Sequence, residues 1–145
     1  MTIEDRAVDG AGSNAAVHAR QYLESGGAHV DHPAVGHLIL LYTTGRLSGQ
    51  IRRTPLRFFE AGDDLVVAAS YRGSPNHPDW YLNLLEDPKV WVRLNSELFP
   101  ATAEEVEELE RPRLWAEKVV AEAPQFADYQ ARTNRVIPLV RLTRS

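Results

Sequence analysis

The unbroken apolar stretch Leu38 to Tyr42, which no other run in this chain exceeds, is far too short to span a bilayer. Bounded by turn residues, the segment His37 to Thr43 reads instead as a buried β-strand. The other apolar runs are short too. Gln50 to Glu60 reads as a long strand, with Pro55 placing it at a sheet edge or a bulge. Leu65 to Ser70 reads as a buried strand. Lys89 to Asn95 alternates Val90, Val92 and Leu94 against Lys89, Trp91 and Arg93, which is strand periodicity. Leu98 to Ala103 and Val136 to Thr143 complete the set. Gly45 to Gly49, Ala61 to Asp64 and Ser96-Glu97 are the turns between them. A meander with so many strand edges is best hidden by closure into a small barrel.

Helices fill the remaining places. Ser13 or Asn14 can cap a helix running to about Ser25, which Gly26 and Gly27 would stop. Residues 1–12 read as a flexible tail and 28–36 as a linker. A short helix is expected from Asp79 or Trp80 to Glu86. Another is expected over Glu107 to Glu122, with Pro112 near its first turn and the acidic run Glu104 to Glu110 as a solvated start. Gln125 to Asn134 reads as a last helix after Pro124. The class is mainly β with peripheral helices (α+β), in one domain over 13–145.

A net charge of -4 argues against nucleic acid as the main partner, since phosphate backbones demand a basic face. With no cysteine, thiol nucleophiles and thiolate metal sites are excluded. Residues 1–12 carry Glu4, Asp5 and Asp9 and no apolar run, so we expect no secretory signal and a cytoplasmic protein.

Two regions carry candidate chemistry. Residues 32–59 hold no Asp or Glu but include Arg46, Arg52, Arg53 and Arg57. Arg46 lies in the Gly45 to Gly49 turn, whose backbone N–H groups can form an anion-binding nest. Arg52 and Arg53 point to opposite faces of a strand. A phosphate or polycarboxylate suits this pattern, and a solvated basic edge that blocks aggregation suits it equally. In the second region, Ala68 and Ala69 leave room for a flat ring, Ser70 offers a hydroxyl, Trp80 a stacking surface and Asn83 an amide. The plainer reading has small residues under a closely packed helix, Trp80 in the core and Asn83 as a cap. His29, His32 and His37 lack the carboxylates and fixed geometry of a metal site, so no metal is expected.

The segments Leu41 to Gln50, Arg52, Pro55-Leu56, Val67 to Ser70, Pro78 to Leu84 and Asp87 to Val90, with Pro124 to Tyr129 and Thr133 to Pro138, resemble the deazaflavin (F420)-dependent nitroreductase and F420H2-dependent quinone reductase family. The resemblance implies a split β-barrel, like that of flavin reductases and FMN-binding proteins, and coenzyme F420 as cofactor. It implies that Arg46, Leu47 and Ser48 meet the phosphate and polyglutamate tail. Arg52, Arg53, Thr54, Pro55, Leu56 and Arg57 would continue that wall. Ala68, Ala69, Ser70 and Tyr71 would line the ring. Asp79, Trp80, Tyr81, Leu82 and Asn83 would close the far side. Phe126 and Tyr129 would lie over cofactor and acceptor. The family commonly has Lys or Arg at Leu47 and often Lys at Tyr71, so the tail site here has lost charge. The implied reaction is hydride transfer to a quinone, nitroaromatic or activated enone, with Ser70 or Tyr129 relaying a proton. An FMN enzyme on the same barrel and a non-catalytic deazaflavin-binding protein are the alternatives, and a homodimer is an expected assembly.

Overall fold

The computed structural model describes residues 7–9 and 37–145. The expected helix from Ser13 or Asn14 to Ser25 and the histidines His29 and His32 lie outside these residues. The strands are β1 (Val8–Asp9), β2 (Leu38–Thr44), β3 (Ile51–Ala61), β4 (Asp64–Ala68), β5 (Lys89–Leu94), β6 (Glu97–Glu105) and β7 (Leu139–Arg144). They form one sheet in the order β1-β3-β2-β5-β6-β7-β4, and a further β3–β4 pairing closes β2 to β7 into a barrel. β3 spans the closure by changing partners along its length. Ile51 to Arg57 pair with β2, and Phe58 to Ala61 pair with β4. Pro55 sits in β3 where only the β2 side is paired, between the residues that face β1 and those that face β4. Its missing N–H therefore costs no ladder bond.

The two faces of β2 explain its unbroken apolar run. Ile39 and Leu41 point into the barrel, while Leu38, Leu40 and Tyr42 pack outside with Ala7, Ile51, Trp91 and Leu98. A strand buried on both faces shows no polar alternation. Val8 and Asp9 were expected in a flexible tail. They instead align in parallel with Arg52 and Arg53, on the side of β3 away from β2 and ahead of the stretch that pairs with β4.

Helix α1 (Asp79–Glu86) places Trp80, Tyr81 and Leu84 in the interior cluster, among Val67, Val92 and Val140. Helix α2 (Arg111–Leu114) runs on as a wider π-type segment, Trp115–Val120, and α3 (Gln125–Ala131) follows. These cover the outer face of β3, β4 and β7 through Leu114, Val119, Ala123 and Phe126. α2 starts at Arg111 and not at Glu107, because Pro112 has no N–H to give back and fits only the first turn. The acidic run is not a helix start either. Glu104 and Glu105 continue β6, opposite Arg141 and Val140 of β7. The alternation of Phe99, Ala101 and Ala103 into the barrel carries the strand that far.

Phe59 joins the barrel to its helical cover. It is 1% exposed and meets the Phe126 ring edge-on at 5.7 Å. Phe59→Ala is expected to lower stability by about 3–5 kcal/mol, read from urea denaturation. A loss below about 1 kcal/mol would mean that the helices do not depend on this contact.

Candidate functional site

The arginine turn between β2 and β3 is held by its own backbone. Gly45 N–H donates to Gln50 O at 2.7 Å, Gly49 N–H to Gly45 O at 2.8 Å, and Gln50 N–H to Ser48 Oγ at 3.2 Å. A Cβ on Gly45 would lie 2.9 Å from Ser48 Oγ, so the turn closes this tightly only around glycine. The same position is 3.8 Å from Arg52 Cγ, which sets Arg52 at the base of the turn. Ser48 and Arg52 therefore meet at Gly45, next to Arg46 in the chain, with Leu47 90% exposed at the tip.

The rest of the expected wall divides. By register Arg52, Thr54 and Leu56 share the face of Thr43, Leu41 and Ile39. Arg53, Pro55 and Arg57 share the opposite face, with Tyr42, Leu40 and Leu38. Residues 52 to 57 cannot all line one cleft, because successive strand residues alternate. Arg57 instead lies over the Phe59 ring at 4.8 Å and reaches Glu122 at 3.4 Å.

Asn83 organises the turn from beneath. It is 3% exposed. Its Oδ1 accepts from the Arg46 backbone N–H at 3.1 Å and from Arg46 Nη1 at 2.9 Å, and its Nδ2 donates to Thr43 Oγ1 at 3.3 Å. The side chain is thus a strut between α1 and the turn, not a helix cap. Arg46 Nη2 also pairs with Asp79 Oδ1 at 3.3 Å, where the aspartate side chain is 71% exposed. An exposed pair of this kind is worth about 0–1 kcal/mol. An anionic ligand can replace it while the buried bonds to Asn83 stay in place.

The second region differs from the expectation of open space. Ala68 packs in the outer cluster and Ala69 in the barrel interior, and both are buried. Trp80 and Tyr81 are each 6% exposed and belong to the core. Ala68 shares the outer cluster with Phe126 of α3, and Ala69 shares the interior cluster with Trp80 and Tyr81 of α1, against which Leu56 and Leu82 pack. What faces outward is the chain that follows, from the half-buried Ser70 to the exposed Tyr71 and Arg72.

That chain makes an unusual turn. Tyr71, Arg72 and Gly73 have φ of 44°, 54° and 81°. Two consecutive non-glycine residues in this region cost on the order of 1–3 kcal/mol each. Gly73 N–H donates to Ser70 O and Ser74 N–H to Tyr71 O. The turn is pressed on the end of α3, where a Cβ on Gly73 would lie 2.5 Å from Tyr129 O. Ser70 and Tyr129 therefore flank one turn, and the Tyr129 ring stands 5.2 Å from Phe126.

Sequence reasoning assigned no role to Arg135, His77 or Glu105. Arg135 donates from Nε to Ser74 O at 2.9 Å, from Nη1 to Ala69 O at 3.0 Å and from Nη2 to Ser70 O at 2.7 Å. His77 Nδ1 lies 3.2 Å from Arg135 Nη1. Burial and then Arg135 push the His77 pKa down, against an upward pull from Glu105. Tyr81 donates its hydroxyl to Glu105. Burial, then that hydrogen bond, raises the Tyr81 pKa far above the usual tyrosine range. Arg135 stands in a non-periodic stretch ahead of β7, so its only sequence signal was its place in the Thr133 to Pro138 motif.

Known proteins match this chain in sequence and in fold. The profile of the F420H(2)-dependent quinone reductase family matches residues 15–144. An F420H(2)-dependent quinone reductase of Mycobacterium tuberculosis (strain H37Rv) is 37% identical over 114 residues, spanning 77% of this chain and 76% of that protein. The solved structure of an F420-H2 dependent reductase, FDR-A, has a TM-score of 0.65 at 37% identity, covering 72% of this chain and 92% of that one. A second solved structure, described only as a domain-swapped dimer, has a TM-score of 0.68 at 34% identity, covering 88% of this chain and 94% of that one. The haem storage protein HutZ of Vibrio cholerae, at 15% identity and a TM-score of 0.53, shares the barrel fold alone.

Two glycines separate steric need from conformational preference. Gly49 has φ 72° but nothing within 4 Å of a Cβ, so Gly49→Ala is expected to cost about 1–2 kcal/mol. Gly73→Ala adds a backbone clash with Tyr129 and is expected to cost more and to displace the Ser70 turn. Paired urea denaturation curves check this, and equal losses would show that the close approach to α3 is not needed.

Proposed function

The chain belongs to the F420H(2)-dependent quinone reductase family, and from that premise we propose that it passes a hydride from reduced coenzyme F420 to a quinone. The carrying observation is the Arg46 turn locked on buried Asn83, inside a chain matched by the family over residues 15–144. No helix among the described residues is long and apolar enough to cross a membrane.

The donor set suits an anionic cofactor. Arg46 lies in the glycine turn and Arg52 stands at its base, and Arg52 has no side-chain partner among the described residues. In this reading both guanidiniums and the Ser48 hydroxyl hold the phosphate and carboxylates, for which forked donors are well shaped. Ser70, Tyr71 and Arg72 form the wall beside the ring. Reduced deazaflavin supplies a two-electron hydride donor when bound. The protein's task is to hold donor and acceptor at reacting distance and to deliver a proton. The hydroxyls of Ser70, which opens the left-handed turn, and of Tyr129, whose backbone carbonyl packs against it, are the proposed proton donors to the acceptor oxygen. Nitroaromatics and activated enones ask for the same hydride and are proposed as secondary acceptors. Since a relative is described as a domain-swapped dimer, a homodimer is proposed for this chain as well.

Titration with oxidised coenzyme F420, followed by tryptophan quenching with FMN in parallel, tests the cofactor. Saturable binding of the deazaflavin alone, with multiple turnovers on a quinone, is expected. Tight FMN binding would move the protein to the flavin branch of this barrel, and binding without turnover would make it a carrier. Arg52→Ala is expected to weaken deazaflavin binding about tenfold, and the gap between wild type and variant should narrow at high salt. An unchanged affinity would remove Arg52 from the anion site.

A further inference from the structure

We infer that Arg135 is a positioning residue for hydride transfer, a guanidinium that clamps the Ala69–Ser74 loop in its left-handed turn and so fixes Ser70 beside the reacting centre. The inference rests on the reading of that loop as the ring-side wall.

The clamp is visible bond by bond. Four acceptors from one stretch of chain converge on Arg135, namely the carbonyls of Ala69, Ser70 and Ser74 and His77 Nδ1. A guanidinium offers five N–H donors in a fixed plane, so one side chain can meet carbonyls on three sides. A lysine ammonium cannot span them. The turn needs such a hold. Tyr71 and Arg72 have strained φ values, and the bonds within the turn, Gly73 to Ser70 and Ser74 to Tyr71, are few. Strain of this kind persists only where the surroundings over-determine it.

Arg135 is itself anchored away from the loop. Gln130 Nε2 donates to Arg135 O at 2.7 Å, and Gln130 Oε1 accepts from Ile137 N–H at 2.9 Å. Arg111 donates to Ile137 O from Nε at 2.9 Å and from Nη2 at 2.7 Å. The path runs from α2 and α3 through Arg135 to Ser70, and it makes no use of the arginine turn.

His77 makes the clamp sensitive to pH. Its Nδ1 serves as an acceptor only when unprotonated. Arg135 from the segment before β7, Glu105 from β6 and Tyr81 from α1 are the charged and titratable groups facing it. The folded His77 pKa lies below 6.5, so its neutral form belongs to the folded state. The hold is complete above that pH and is lost as pH falls through the lowered folded value. Below it a second cation faces Arg135.

Arg135→Gln, Arg135→Lys and His77→Gln test this. In Arg135→Gln, hydrogen exchange at the Gly73 and Ser74 amides should rise by about tenfold or more, while β4 and β7 stay protected. With the quinone, kcat should fall about tenfold or more, while the deazaflavin dissociation constant moves by less than about threefold. Arg135→Lys should restore only part of kcat. The acid-side fall in wild-type kcat should vanish in His77→Gln. Unchanged loop exchange and kcat in Arg135→Gln would overturn the inference. So would uniform loss of protection across the barrel, which marks a general stabiliser. Should the wild-type protein bind no deazaflavin, the functional reading fails on its own, and the exchange experiment still decides whether Arg135 holds the loop.

Discussion

The pairing of β3 with β4 is the constraint on which the rest of the molecule depends. β3 leaves β2 at Arg57 and takes up β4 at Phe58, and this change of partner turns an open meander into a closed barrel. It also decides which side chains meet. Leu56 and Phe58 pack toward the interior, and Phe59 packs outward under α3. Arg57 shares that outward face, so a guanidinium is buried beside Phe59. Its Nε has no hydrogen-bond partner. Leaving such a donor unpaired costs on the order of 1–3 kcal/mol, partly offset by the Phe59 ring and by Glu122. A strand committed to both halves of the barrel cannot rotate to release one residue.

Closure leaves the candidate site to be assembled from loops, and α1 ties them together. Its residues Asp79 and Asn83 hold the arginine turn, while Tyr81, one helical step away, contacts His77 and Glu105. Trp80 and Leu84 fix the same helix in the interior. The arginine turn and the loop after β4 are therefore referenced to one short helix seated in the core. Residues whose expected role was to touch the ligand, Trp80 and Tyr81, act one layer back. Their burial gives the surface groups a fixed base.

Much of this was legible in the sequence, for physical reasons that also mark where legibility ends. Strands with strong alternation, such as β5, and runs bounded by glycine turns, such as β2, declared themselves because burial imposes a period. The arginine turn was legible because glycines and guanidiniums carry chemistry wherever they stand. The Ala68-Ala69 pair stayed ambiguous because small size signals either space or close packing, and only the packed structure separates the two. The Glu104–Glu105 pair misled because an acidic run looks alike at a strand end and at a helix start. Arg135 was not legible as a clamp. Its four acceptors lie 58 to 66 residues away, and three of them are backbone atoms with no residue signature.

Under the proposed function, the distribution of charge around the turn bears on how well it would hold an anion without the basic residues that the resemblance expects at Leu47 and Tyr71. An exposed lysine at either position would bring one charge on a flexible stem, and ordering that stem costs up to about 2 kcal/mol of rotamer freedom. Arg46 has already met most of that cost within the folded protein, because Asn83 fixes both its backbone N–H and its guanidinium. Only its weak pair with Asp79 must be exchanged for the ligand. A preorganised cation therefore contributes more per charge than a mobile one. The exposed Leu47 and Tyr71 then change the site's reach along the tail more than its grip on the first anionic group. Under the proposed function, recognition would concentrate at the glycine turn, where a preorganised guanidinium counts for more than an added mobile charge.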